Sequence, residues 1–372
     1  MKRLRHLILG AALLGQSALG DVYYVATNAP AGGDGGSWPT AFTNIQTAFD
    51  TAQVHDTIYL AGHTFLLTNQ LIWPAASNVT LLGGYVATNA GGPGDYDTLK
   101  WPTILTPKPG NAHRVLFLQN ATNIFIERVI IRGGSAVQGS GFYADNVSGQ
   151  IRHAVFENNI SPSGNYYGRG GGAFLLGGVV TFEHVVFANN RANTLNTGWS
   201  VYGGAIYAAS GIHCFRNILG VANVAADDGT FTAAMRGSFL YVDGGDVTVE
   251  NATLAHHSVA SALHRNGGTL RVANSILWDN DSGDYAGTIT FSNCCATGLT
   301  AGVQGNLTND PLFETPLFYL ASDSPLLGKG DRTAAAAGVT GWTVFTNGST
   351  YADPGSEMVN LGYHHPEGIV WD

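Results

Sequence analysis

Apolar and polar positions recur along this chain in short blocks, not in long helical stripes. Five segments superimpose on one six-residue template: Ile126 to Ile131, Ile151 to Phe156, Phe182 to Phe187, Val249 to Leu254 and Val272 to Leu277. Each reads apolar, variable, corner-like, small or β-branched, variable, large apolar. Their first positions lie 25, 31, 67 and 23 residues apart, and the interval of 67 accommodates two coils, with a degenerate one near Ile212 to Asn217. A short apolar strand cannot bury its inner face alone. Coils stacked about 4.8 Å apart bond to one another and place like residues in interior ladders. The pattern therefore predicts an all-β, single-stranded parallel β-helix, a solenoid. A sandwich is the alternative, but a Greek key does not require column-wise similarity at coil spacing.

Corners need residues that tolerate left-handed backbone angles, and Asn and Gly do so. They recur as Asn158-Asn159, Asn189-Asn190, Asn251, Asn274 and Asn280, and as Gly133-Gly134, Gly177-Gly178, Gly244-Gly245 and Gly267-Gly268. The ends of a stack expose unpaired strands and must be covered. Phe42, Ile45, Phe49 and Ala52 recur at helical spacing, which predicts an amphipathic capping helix over Ala41 to Ala52 between strands Val22 to Ala26 and Thr57 to Leu60. The expected organisation is an export signal over 1–20, N-terminal strand and capping helix over 21–62, coils over 63–298, and an irregular C-terminal cap over 299–372.

The export reading rests on Lys2, Arg3 and Arg5 ahead of the apolar run Leu7 to Leu14, followed by Ala18 and Gly20 at cleavage spacing. The run is too short to span a bilayer, and no later run approaches that length, so no transmembrane span is expected. Composition agrees with a turn-rich β protein: 50 glycines in 372 residues without a three-residue period, and only 13 prolines. Removing the signal would leave 14 Lys and Arg against 26 Asp and Glu, a distinctly acidic chain. With no basic cluster after Arg5, nucleic acid is an unsuitable partner. A polyanionic sugar would meet the same repulsion unless a cation or a local arginine patch offset it.

Three cysteines allow one bridge, from Cys214 to Cys294 or Cys295, although buried free thiols fit the spacing better. Asp279, Asp281 and Asp284 offer close oxygen ligands, so calcium is an optional cofactor. The glutamate that an EF-hand loop carries at its twelfth position is replaced by Thr290. His256-His257 and His364-His365 are adjacent pairs, a poor arrangement for metal ligation.

Several stretches resemble known secreted proteins. Tyr24-Val25, Gly33-Asp34, Ser37-Trp38, Thr40-Ala41-Phe42, Ile45-Gln46 and Asp56 to Leu60 are similar to the opening of right-handed β-helix proteins of the pectate-lyase-like superfamily. Phe156 to Asn159 with Gly171 to Phe174, then Phe187 to Asn190 with Gly203 to Ile206, resemble the paired repeats of polymorphic outer-membrane proteins. Asn274 to Trp278, Asp310 to Phe313, Ser324 to Leu327 and Leu361 to Pro366 resemble the end of choice-of-anchor Q type surface proteins. The resemblance implies a right-handed coil and an extracellular or cell-surface setting. The superfamily includes polysaccharide lyases and hydrolases, so fold alone does not separate enzyme from binder.

Lyase chemistry on uronates needs a cation to neutralise the carboxylate and a base near the abstracted proton. Arg169, in an insertion over Ser161 to Gly170, is the first candidate, with Glu157 and Glu183 as accompanying acids. The second template column, Glu127, Arg152, Glu183 and Glu250, points outward with alternating sign and suits a surface ion ladder. The fifth column, Ile130, Val155, Val186, Thr253 and Ile276, carries no acid or base. Tyr166, Tyr167, Trp199 and Tyr202 are flat platforms suited to stacking on sugars. Scarce lysine, acidic charge and the lack of a convergent acid/base set favour a non-catalytic binding or structural module, adhesin-like and glycan-associated. The alternative is a polysaccharide lyase or glycoside hydrolase.

Overall fold

The computed structural model describes residues 20–88, 91–162, 167–194, 200–227, 234–314, 317–339, 341–346, 349–353 and 355–366. The expected signal, Tyr166 and Trp199 lie outside them. The described chain is mostly β, with few helices, and is dominated by one long, largely parallel sheet.

Three columns of strands build that sheet. In the first, Tyr23, Ile58, Leu81, Ile126, Ile151, Phe182, Phe215, Val249, Val272 and Phe291 are successive parallel partners. The second aligns Phe65, Leu105, Ile131, Phe156, Phe187, Gly220, Leu254 and Leu277. The third aligns Leu71, Leu116, Phe142, Ala173, Ile206, Leu240, Leu263 and Tyr285. Most of these side chains belong to a single buried core. An arrangement in which segments pair in parallel with the next copy of themselves is compatible with a β-helix.

The third template position is a corner in the literal sense. Arg128, His153, His184, Asn217, Asn251 and Asn274 all have φ between 47° and 59°. The coil that reads as degenerate carries Gly220 where its neighbours carry a large apolar residue. The gap is filled by Phe239, the residue just before the third-column strand that starts at Leu240, because a Cβ on Gly220 would lie 2.7 Å from its ring.

Asparagine has a second use that the spacing did not reveal. Asn158 and Asn189 take the left-handed angles, whereas Asn159 and Asn190 turn inward and are fully buried. The Asn159 amide donates to Asn190 Oδ1 at 2.9 Å, and the Asn190 amide to Asn223 Oδ1 at 2.9 Å. Each also donates to a backbone carbonyl in the matching strand of the preceding coil, Ile131 and Phe156 respectively. This ladder satisfies buried polar groups that the turn would otherwise orphan.

Two expectations need correction, for the N-terminal helix and the C-terminal segment, while the cysteines are the free thiols that their spacing favours. The N-terminal helix is shorter than expected, Ile45–Thr51, because Asn44 caps it by accepting from the Gln46 N–H at 2.7 Å. Phe42 instead bridges Val25 in the sheet. All three cysteines are free: Cys294 and Cys295 are buried, their thiols pushed up to about 12 by burial, and Cys214 lies half-buried between Thr181 and Thr248. The segment after 299 does more than close one end. It contains a small four-stranded sheet, and its last stretch returns along the stack. There the His364 N–H donates to Asn217 Oδ1 at 2.7 Å and the Tyr363 N–H to Thr253 Oγ1 at 2.9 Å. This return packs Tyr363 with Val186 and Leu219, which explains a fifth column that faces away from the core yet carries no charge.

Candidate functional site

Along the third column the four middle strands are each entered through a glycine with positive φ: Gly139, Gly170, Gly203 and Gly237. At Gly170 a Cβ would sit 2.0 Å from the Ala173 carbonyl oxygen, so no larger residue fits that corner. Alternation after the corner sends Phe142, Ala173, Ile206 and Leu240 inward and the next residue outward. The outward residues are Phe117, Tyr143, Phe174, Tyr207, Tyr241 and His264, placed in register by the ladder.

These six rings form a continuous outer stack. Successive centroids are 5.4, 5.0, 5.1, 5.3 and 5.3 Å apart, with interplanar angles of 18° or less. Their faces are taken up by one another, leaving edges and phenol groups directed away from the sheet. Phe174, Tyr207 and Tyr241 are buried, whereas Phe117, Tyr143 and His264 are half-buried. The repeat segments read from the sequence ended at Phe174, inside this column, and at Ile206, one residue short of it. The available signal was an aromatic residue at a fixed distance beyond each glycine corner.

Arginines lie against the stack. Arg114 sits 4.7 Å over Tyr143 and 5.6 Å over Phe117, and donates to the carbonyls of Gly139 and Gln138 at 2.9 and 2.8 Å. Arg169 sits 5.2 Å from the rings of Tyr167 and Tyr207 and 6.0 Å from that of Tyr202. Among the described residues neither guanidinium has a carboxylate partner, and the buried Nε of Arg169 has no hydrogen-bond acceptor. Arg114 and Arg169 thus lie against the same ring column, each without a carboxylate partner among the described residues. Burial pushes the Tyr207 phenol well above its usual range, and its hydrogen bond to Asp243 Oδ2 at 2.6 Å adds to the shift. Burial likewise raises Tyr143 and Tyr241. Tyr143, Tyr207 and Tyr241 therefore stay protonated and are poor bases.

The sequence-chosen residues divide among separate places. Tyr167 and Tyr202 join Arg169: Tyr167 is 38% exposed, and Tyr202 packs 4.5 Å from Tyr241. Glu157 is elsewhere, ion-paired with Arg132. Glu183 lies on the first column between Arg152 at 3.0 Å and Arg216 at 3.7 Å, in a ladder that continues through Glu250 to Arg332. The structure thus does not bring Glu157 and Glu183 to Arg169. The three aspartates also separate. Asp284 is buried and accepts from the Asn280 amide and from the N–H and hydroxyl of Thr297, Asp279 pairs with His256 at 2.9 Å, and Asp281 is exposed. Among the described residues no three His, Cys, Asp or Glu side chains are placed to share a metal ion.

No helix among the described residues is long and apolar enough to cross a membrane. No protein-family profile matches the chain, and no curated protein matches it.

Proposed function

We propose that this chain is an exported, extracellular or cell-surface right-handed parallel β-helix with an N-terminal capping helix, and that it serves as a non-catalytic module binding acidic glycans through its third strand column. Right-handedness follows the general preference of crossovers between parallel strands. The observation that carries the reading is Arg169: a guanidinium with no carboxylate partner among the described residues, held on the rings of Tyr167, Tyr202 and Tyr207. Such a group pairs with a sugar carboxylate or sulfate in a fixed orientation. The acidic remainder of the molecule acts through solvent and is screened beyond roughly 8 Å at physiological salt, so a local patch suffices. The protonated phenols and the distance of the paired glutamates from this face speak against the lyase and hydrolase alternative.

The test uses purified protein and a panel of acidic and neutral polysaccharides, with and without calcium, scored for retention and for chain cleavage. Retention of acidic chains without cleavage, weakened by Arg169→Ala, is expected. Unsaturated sugar ends that disappear with Arg169→Ala would establish the lyase instead.

A further inference from the structure

A cleft of about 270 Å³ opens where the C-terminal segment meets the second strand column, remote in sequence from the arginine-bearing face. Its walls combine Trp278, Phe313 and Phe318 with Asp279, Asp310 and Glu314. Phe313 and Phe318 stand at 90° with centroids 5.3 Å apart, so their rings form two sides of a corner. His256 closes the next side, 5.2 Å from Phe318, and is tied to Asp279 at 2.9 Å.

We propose that this cleft binds a small organic ammonium ion. Aromatic walls set at right angles offer several electron-rich faces to one cation, the arrangement by which quaternary ammonium groups are recognised. Three carboxylate-bearing residues on the rim supply a field that attracts a cation and repels an anion. A bare metal ion fits poorly, because no three of the described acidic, histidine or cysteine side chains converge on one point. A cation with its own apolar body instead fills the space between dispersed charges and rings. The volume lies just below the roughly 300 to 1,000 Å³ usual for a ligand pocket, and suits a head group better than an oligosaccharide. The site does not depend on the glycan reading, since it shares no residue with the Arg169 face.

The full-length mature protein titrated calorimetrically with choline, with its uncharged isostere dimethylbutanol, and with phosphocholine tests this. Choline is expected to bind about 2- to 30-fold more tightly than the isostere, the range that cation–π contacts contribute, and phosphocholine more weakly than choline because its phosphate meets the carboxylates. Asp310→Asn and Glu314→Gln, both at exposed positions, should each weaken choline binding a few-fold. Asn keeps the acceptor that Asp310 Oδ1 offers the Leu312 N–H at 2.9 Å, so the fold is preserved. Equal affinities for choline and isostere, or no choline binding by the wild-type chain, would overturn the proposal.

Discussion

The guanidinium of Arg169 lies 5.2 Å from the ring of Tyr207, whose hydroxyl is committed to Asp243 at 2.6 Å. The ring is thus held from below by its own ladder and from the side by an acid, and it orients the arginine without competing for its donors. Arg169→Lys keeps the charge but loses the planar fork and should weaken retention of an acidic glycan roughly fivefold. Tyr207→Phe keeps the ring and should leave retention close to wild type. Affinity electrophoresis of the two variants side by side measures the difference.

Phe156 and Phe187 stack in adjacent rungs with centroids 4.8 Å apart, both fully buried. Removing either ring leaves a void that close-packed neighbours cannot fill. Phe156→Ala and Phe187→Ala should each cost about 3 to 5 kcal/mol. The double variant should cost less than the sum, because each ring packs against the other. Thermal unfolding followed by circular dichroism reads both effects.

Two glycines with positive φ separate steric from conformational cost. Gly203 has φ 65° and its Cβ would meet the Ile206 carbonyl oxygen at 2.1 Å, whereas Gly32, at φ 83°, has nothing within 4 Å. Gly32→Ala should cost only the left-handed penalty, about 1 to 2 kcal/mol. Gly203→Ala must also displace backbone, and should lower the melting temperature clearly more than Gly32→Ala.

The buried asparagine ladder makes a specific demand. Asn190→Ala leaves the Phe156 carbonyl without the side-chain donor it has at 2.7 Å and removes the acceptor of the Asn159 amide. A loss of about 1 to 3 kcal/mol for each buried group left unsatisfied is expected. Asn190→Asp should be no better, since a carboxylate cannot supply the lost donor. Denaturant melts of both variants check this.

Acid should destabilise the fold through buried histidines. Burial holds His153 and His184 down to about 4, and His257 and His365 down to about 3. Because the unfolded chain takes up these protons near pH 6.5 and the folded chain does not, stability is full above that pH. It declines as pH falls from 6.5 toward 3. For fully buried His257 the loss at pH 5 is on the order of 2 kcal/mol. Melting temperatures between pH 7 and pH 5 should fall, and His257→Gln should flatten the slope.

Much of the architecture is legible in the sequence because it is local and periodic. Inward residues at template positions one, four and six fall on the core, the second column forms its ion ladder, and the third position adopts left-handed angles even where it is Arg128, His153 or His184. Each of these follows from alternation and corner geometry within a few residues. The helix boundary was misplaced because Phe42 suits a helical face and a sheet bridge equally well, and the Asn44 cap decides between them.

What the chain alone determined, then, is its repeating unit, since strand alternation and turn chemistry act over six residues and need no distant partner. Tertiary structure decided which outward side chains meet. Stacking put six rings of the third column face to face, set Arg169 among tyrosines, and left Glu157 and Glu183 on other strands. Coil lengths vary, so the sum of many turns fixes which residues share an outer face, and no single motif records that sum.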